Sequence, residues 1–332
     1  MKIALLVVAV LVSLVVGMLL FTPPTPAIIV APETVFHLGP LDVTNTMFTS
    51  WVVLALITVV AIVAGRGFSI VPSGFSGAVE AAIGGFYGIV VGVVGEEKGR
   101  RFFWVISTIF FWVLLNNYFG LLPGNLYVGV PEEGHGETQA VFEQTSIAGF
   151  DIAYIPLGPE TVDVGAGEAP ILPEHDGDQF SGIIAPLFRS VNTDVNAPLA
   201  IALFAFVFVE YWALSTLGFG YLKKFFNFGR LARGNPMGII DAFVGLLELI
   251  SEFIRIVSFT FRLFGNIFAG EVLIVMMSFL VPLLLVDIFY GLELFVGLIQ
   301  AFVFAMLTLV FAQMAVTHHG DGSEDAHAVA GH

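Results

Sequence analysis

Six apolar runs partition this chain: Ile3 to Leu20, Met47 to Gly65, Phe102 to Leu122, Ala197 to Leu222, Pro236 to Val281 and Pro282 to Thr317. Crossing a hydrocarbon core about 30 Å thick takes roughly 20 apolar residues in a helix, and every run is of that order or longer. The runs therefore read as an all-α, multi-span membrane protein. Charge agrees: only 12% of residues are Asp, Glu, Lys or Arg, against roughly 25% in soluble domains. A soluble enzyme and a disordered chain are both excluded.

Other classes fall as quickly. Twelve Lys and Arg face 27 Asp and Glu, a net charge of -15, and no basic stripe offers itself to phosphates. Nucleic acid is not an expected partner. There is no Cys, which excludes disulfides, thiolate-held iron–sulfur clusters and c-type haem attachment. None of the seven His lies in a long apolar run, which argues against haem held between spanning helices. No cofactor and no metal is expected.

The runs and the polar segments between them define the domains. Residues 1–21 form an N-terminal apolar segment, read equally as a signal peptide or an anchor. A Pro-rich external segment (22–46) leads to the first spans (47–123), which include Gly77 to Val94, a Gly-rich, mildly apolar stretch expected as a cytoplasmic surface helix. Residues 124–192 make an external insert: between Asn125 and Asn192 there are eleven acidic residues and one Arg, with many Gly and Pro. It reads as a solvated loop or small cap. Residues 193–317 are expected to form a helical core, and 318–332 a disordered tail.

Sidedness follows from the basic residues. With a cytoplasmic N-terminus and one crossing per run, Lys2, Arg66, Lys98, Arg100, Arg101, Lys223, Lys224, Arg230 and Arg233 fall inside. Arg189 alone falls outside, and Arg255 and Arg262 fall within the membrane. This is a positive-inside pattern with a cytoplasmic C-terminus.

The last two runs are too long for upright spans. Pro236 to Val281 would be about 69 Å long as one helix, and Pro282 to Thr317 about 54 Å, at ~1.5 Å per residue. Both call for strong tilt, or for kinking at Gly265 and Gly270. We expect two long oblique helices packed as a hairpin. On the first, Asp241, Glu248, Arg255 and Arg262 recur every seven residues, with Asn266 four further on. Seven steps drift by only about 20°, so these positions share a face. Glu271 lies about 180° round from Arg262, and Glu293 and Gln300 share a face of the second helix. By depth, Glu271 and Glu293 pair near the exterior, Arg262 and Gln300 near the middle, and Glu248 near the cytoplasm. Two acidic pockets with an arginine between them is the layout that two offset half-channels require. Burying Arg262 in hydrocarbon costs between about 2.5 and 17 kcal/mol depending on the measure, and its guanidinium stays charged.

The run from Ser258 to Glu271, reading Ser-Phe-Thr-Phe-Arg-Leu-Phe-Gly-Asn-Ile-Phe-Ala-Gly-Glu, resembles the signature of subunit a of F-type ATP synthases. Asn117 to Gly124, Thr193 to Asn196 and Gln300 to Thr308 agree, so the resemblance covers roughly Met47 to Thr317. It implies a stator subunit in the cell (inner) membrane that packs against a ring of c subunits, with the peripheral stalk b subunits and the rest of the synthase as partners. Arg262 would face the ring carboxylate, and Glu271 and Glu293 would line the outer half-channel. Many relatives carry His where Glu293 stands. The first apolar run and the acidic insert depart from the family. ATP chemistry would belong to other subunits, as this chain has no phosphate-binding Gly-rich Lys motif.

Two rivals stand beside this reading. An ion-coupled secondary transporter would show internal repeats and a midplane substrate site, and no repeat relates the halves. A purely structural anchor would not need five or more aligned polar residues in hydrocarbon.

Overall fold

The computed structural model describes residues 12, 15, 28–66, 74–122, 125, 128–132, 138–147, 150–154, 161–163, 179–225, 237–280 and 284–317. The expectations for most of the first apolar run and for the tail 318–332 lie outside the described residues. Among the described residues six helices carry the fold: α1 (Asn45–Arg66), α2 (Gly74–Val94), α3 (Glu96–Gly120), α4 (Asn196–Leu217), α5 (Met237–Leu280) and α6 (Leu284–Val316). All six are long and apolar enough to cross a membrane. The chain is an all-α, multi-pass membrane protein with a β insert.

α5 runs 44 residues without interruption and α6 runs 33, about 66 Å and 50 Å at ~1.5 Å per residue. Each exceeds the ~30 Å of a bilayer core, so the expectation of two overlong helices holds, with α5 helical through both Gly265 and Gly270. In sequence, Pro282 stands between them, a residue that cannot continue a helix.

The chain divides into two compact units. The first gathers the described residues within Met1–Ile62, Val113–Val195 and Leu263–Gln300. Here a hairpin, β1 (Thr34–Leu38) and β2 (Leu41–Thr44), leads directly into α1. The Thr44 hydroxyl accepts the Met47 N–H at 3.3 Å and so caps α1. The insert is more than a loop. It folds into five antiparallel strands, β3 (Val128–Glu132), β4 (Thr138–Ile147), β5 (Phe150–Tyr154), β6 (Thr161–Asp163) and β7 (Gln179–Pro186), in the order β5-β3-β7-β4-β6. β5 also pairs with β4, so β5, β3, β7 and β4 close on one another and β6 extends the far half of β4. A small core of Phe142, Ala153 and Ile184 fills it.

The second unit gathers the described residues within Val63–Trp112, Asn196–Arg262 and Ala301–His332. α3 packs on α4 through Phe102 against Trp212, ring centroids 4.4 Å apart, and Trp104 edge-on to Phe208 at 4.9 Å. α2 starts where α1 ends, with the Ser76 hydroxyl donating to the Ala64 carbonyl at 3.2 Å. Gly95 alone separates α2 from α3, at φ +81°, a left-handed turn open to glycine. Phe86 then stacks on Phe110 at 4.3 Å.

Candidate functional site

In the first unit, Glu271 of α5 and Glu293 of α6 line one pocket. Its other walls come from Asn117 and Gly120 of α3, the chain from Pro186 to Thr193, Ile267 and Ile274 of α5, and Tyr290 of α6. Gly270 leaves room here for the Glu293 carboxylate. A Cβ at that position would collide with the Glu293 carboxylate, so the acid lies directly over the α5 backbone. Glu293 is 6% exposed.

The pocket also holds a residue that the sequence reading counted only as a topological exception. Arg189, 4% exposed, places Nε 2.9 Å from Oε1 and 3.2 Å from Oε2 of Glu271. Its two terminal nitrogens donate to the carbonyls of Ala31, at 3.1 Å, and Ile29, at 2.8 Å. Its backbone N–H donates to the Thr49 hydroxyl of α1 at 3.1 Å. Every arm of this buried cation has a partner, as burial demands.

Amides frame the pocket and extend beyond it. Asn192 donates to the Asn117 side-chain oxygen at 2.8 Å, and Asn117 donates to the Gly297 carbonyl at 3.2 Å. This chain of bonds ties α3, the lead into α4 and α6 together. Asn266 donates to the Gln300 side-chain oxygen at 2.8 Å, so two candidate residues from different helices meet directly. The Gln300 nitrogen is buried and has no partner among the described residues.

The second unit holds Arg255 and Arg262, the two arginines that the sequence reading puts within the membrane. Arg255 pairs with Glu252 one turn earlier, at 2.5 Å, and its guanidinium carbon sits 4.0 Å above the centre of the Phe311 ring. Glu252 is 4% exposed. The sequence reading missed this pairing, because Glu252 falls outside the seven-residue stripe. Arg262 is different. It is half-buried, its nearest aromatic is Phe259 at 5.9 Å from the ring centre, and no carboxylate pairs with it among the described residues. Glu248 is half-buried near the start of α5. Among the described residues, no cluster of three or more His, Asp or Glu could hold a metal ion.

A helical fold with carboxylates and arginines along its long apolar helices defines a class: a multi-pass integral membrane protein. Comparison with known proteins narrows it. Residues 47–313 match the ATP synthase A chain family. The chain is 24% identical over 291 residues to ATP synthase subunit a of Moorella thermoacetica, covering 87% of this chain and 99% of that one. It is 29% identical over 300 residues to the subunit a of Gloeobacter violaceus (90% and 95% covered) and 25% identical over 284 residues to that of Solidesulfovibrio magneticus (86% and 88% covered). The chain belongs to the ATP synthase A chain family, and with it to the multi-pass membrane proteins of ATP synthesis and proton transport.

Proposed function

We propose that this chain is the proton-translocating stator subunit of an F-type ATP synthase, loading and unloading the carboxylates of a c-subunit ring through two offset half-channels. The observation that carries the reading is the contrast among three arginines: Arg189 and Arg255 have carboxylates of their own, and Arg262 has none among the described residues. Leaving such a cation unneutralised in a membrane helix costs several kcal/mol. A ring carboxylate arriving from a neighbouring subunit would supply the missing charge.

The steps follow from electrostatics. Protons reach the ring from outside through the pocket of Glu271 and Glu293, and a neutralised ring carboxyl can then face lipid. When it comes round to Arg262, the positive charge favours its ionised form and the proton leaves. Release runs towards the cytoplasm near Glu248. The Asn266 and Gln300 pair holds α5 to α6 one turn from Arg262. Arg262 also repels any proton that would pass straight between the pockets. The peripheral stalk b subunits hold the stator, and ATP chemistry stays with other subunits.

α2 fits a helix lying on the cytoplasmic surface. It starts against the end of α1, which carries Arg66, and ends one residue before α3, whose first turns carry Lys98, Arg100 and Arg101. Basic residues at both ends favour one side of the membrane.

The test is proton flux and ATP synthesis in vesicles holding the assembled complex, with c-ring content checked. Arg262→Ala should abolish synthesis and leave a passive leak. Arg262→Lys should lose nearly all synthesis, because a buried ammonium readily gives up its charge. Near-normal synthesis by the Ala variant would sink the mechanism.

A further inference from the structure

The two carboxylates of the first unit's pocket differ in their partners. Glu271 is bound through both oxygens to Arg189, and Arg189 is in turn fixed to the Ile29 and Ala31 carbonyls ahead of β1. Glu293 has neither an ion pair nor a hydrogen bond among the described residues, and it rests on the bare backbone of Gly270. We infer that Arg189 divides the labour in this pocket: it holds Glu271 as a standing counter-charge, and Glu293 alone carries the transferable proton.

Putting a proton on Glu271 would strip a 4% exposed guanidinium of the one carboxylate paired with it among the described residues, and an uncompensated buried charge is strongly destabilising. Glu293 can gain and lose a proton without breaking any bond within the described residues. The step is simple transfer. An O–H bond forms on Glu293 as one breaks on a hydronium from the outer solution, leaving neutral water; the Glu293 O–H then breaks as one forms on the ring carboxylate. Arg189 is therefore a positioning residue. It touches neither proton nor ring, and it acts by keeping Glu271 still and by tying the pocket wall to the segment before β1.

The inference rests on the proton-path reading above, so Arg262→Ala is measured alongside. The experiment compares Glu271→Gln, Arg189→Gln, the Arg189→Gln/Glu271→Gln double variant and Glu293→Gln, the last in both the wild-type and double-variant backgrounds. Passive and ATP-coupled proton flux are read in vesicles of the assembled complex, normalised to c-ring content. Each single pair variant strands one buried charge and should lose about tenfold or more in flux. The double variant strands none and should recover to within about threefold of wild type, the signature of a coupled pair. Glu293→Gln should lose flux about tenfold or more in both backgrounds.

A double variant no faster than Glu271→Gln alone would mean that Glu271 carries protons, and the inference falls. It falls equally if Glu271→Gln runs at the wild-type rate, if Glu293→Gln is harmless, or if the double variant fails to assemble where Glu271→Gln succeeds. Near-normal synthesis by Arg262→Ala would instead overturn the proton-path reading itself. That result is distinguishable whatever the pair variants do.

Discussion

Arg255 and Arg262 stand seven residues apart on one helix, yet they live in opposite circumstances. Arg255 has Glu252 one turn behind it and the face of Phe311 against it; Arg262 has neither a carboxylate nor a close ring among the described residues. Periodicity alone puts them in the same stripe. What separates them is neutralisation. A buried pair contributes little net stability over an apolar replacement, but losing one member is costly, so Arg255 reads as structure. On the proposed function, Arg262, which has no counter-charge among the described residues, awaits one from a neighbouring subunit.

The contrast can be broken most severely by giving Arg262 a partner. Ser258 is exposed one turn before it on α5, and Ser258→Glu would build an i, i+4 pair in the favourable orientation. An internally neutralised Arg262 should resemble Arg255 and lose ATP synthesis by about tenfold or more, since a permanent carboxylate within ~4–6 Å competes with the ring's. Wild-type synthesis with the c-ring fully retained would show that an unpaired Arg262 is not required.

The other side of the contrast predicts a stability effect. Arg255→Ala leaves Glu252 buried without its cation and should destabilise the isolated complex by about 3–5 kcal/mol. Thermal unfolding in detergent reads this as a lowered midpoint, and Arg255→Met/Glu252→Gln should restore most of it. If Arg255→Ala unfolds at the wild-type temperature but stops synthesis, Arg255 belongs with Arg262 and the distinction fails.

The mildest test sharpens the parallel contrast between the two carboxylates. Glu293→His should retain partial flux, because an unperturbed imidazole titrates near ~6.5. Flux should then fall as the outer pH rises above that value, because a neutral imidazole has no proton to hand to the ring carboxylate. An unchanged pH profile would remove Glu293 from the path.

Sequence alone made some of this visible and hid the rest for identifiable reasons. The overlong helices and the shared pocket of Glu271 and Glu293 were legible, because apolar run length and helical spacing act locally along the chain. Arg189 was not. It lies 82 residues before Glu271, beside an acidic insert where a lone cation attracts no notice, and its partner is set by tertiary packing. Glu252 escaped because a three-residue spacing interrupts a seven-residue pattern. The insert's sheet was hidden by its composition: its strands are as short as Thr161–Asp163, and among the described residues its small core is Phe142, Ala153 and Ile184. The Gly-rich stretch that became α2 was legible as a helix.

Gly270 carries a consequence for how such a site can change over time. Because the Glu293 carboxylate occupies the space where a methyl group would sit, the two positions are not free to vary independently. The bare backbone of Gly270 is what gives the Glu293 carboxylate its place. Any replacement for the acid must be shaped for that hollow. A mutation from Gly270 to Ala would remove the acid from its seat while leaving every titratable residue in the chain unchanged. The chemical repertoire open to this channel is thus inherited in part through an atom that is not there.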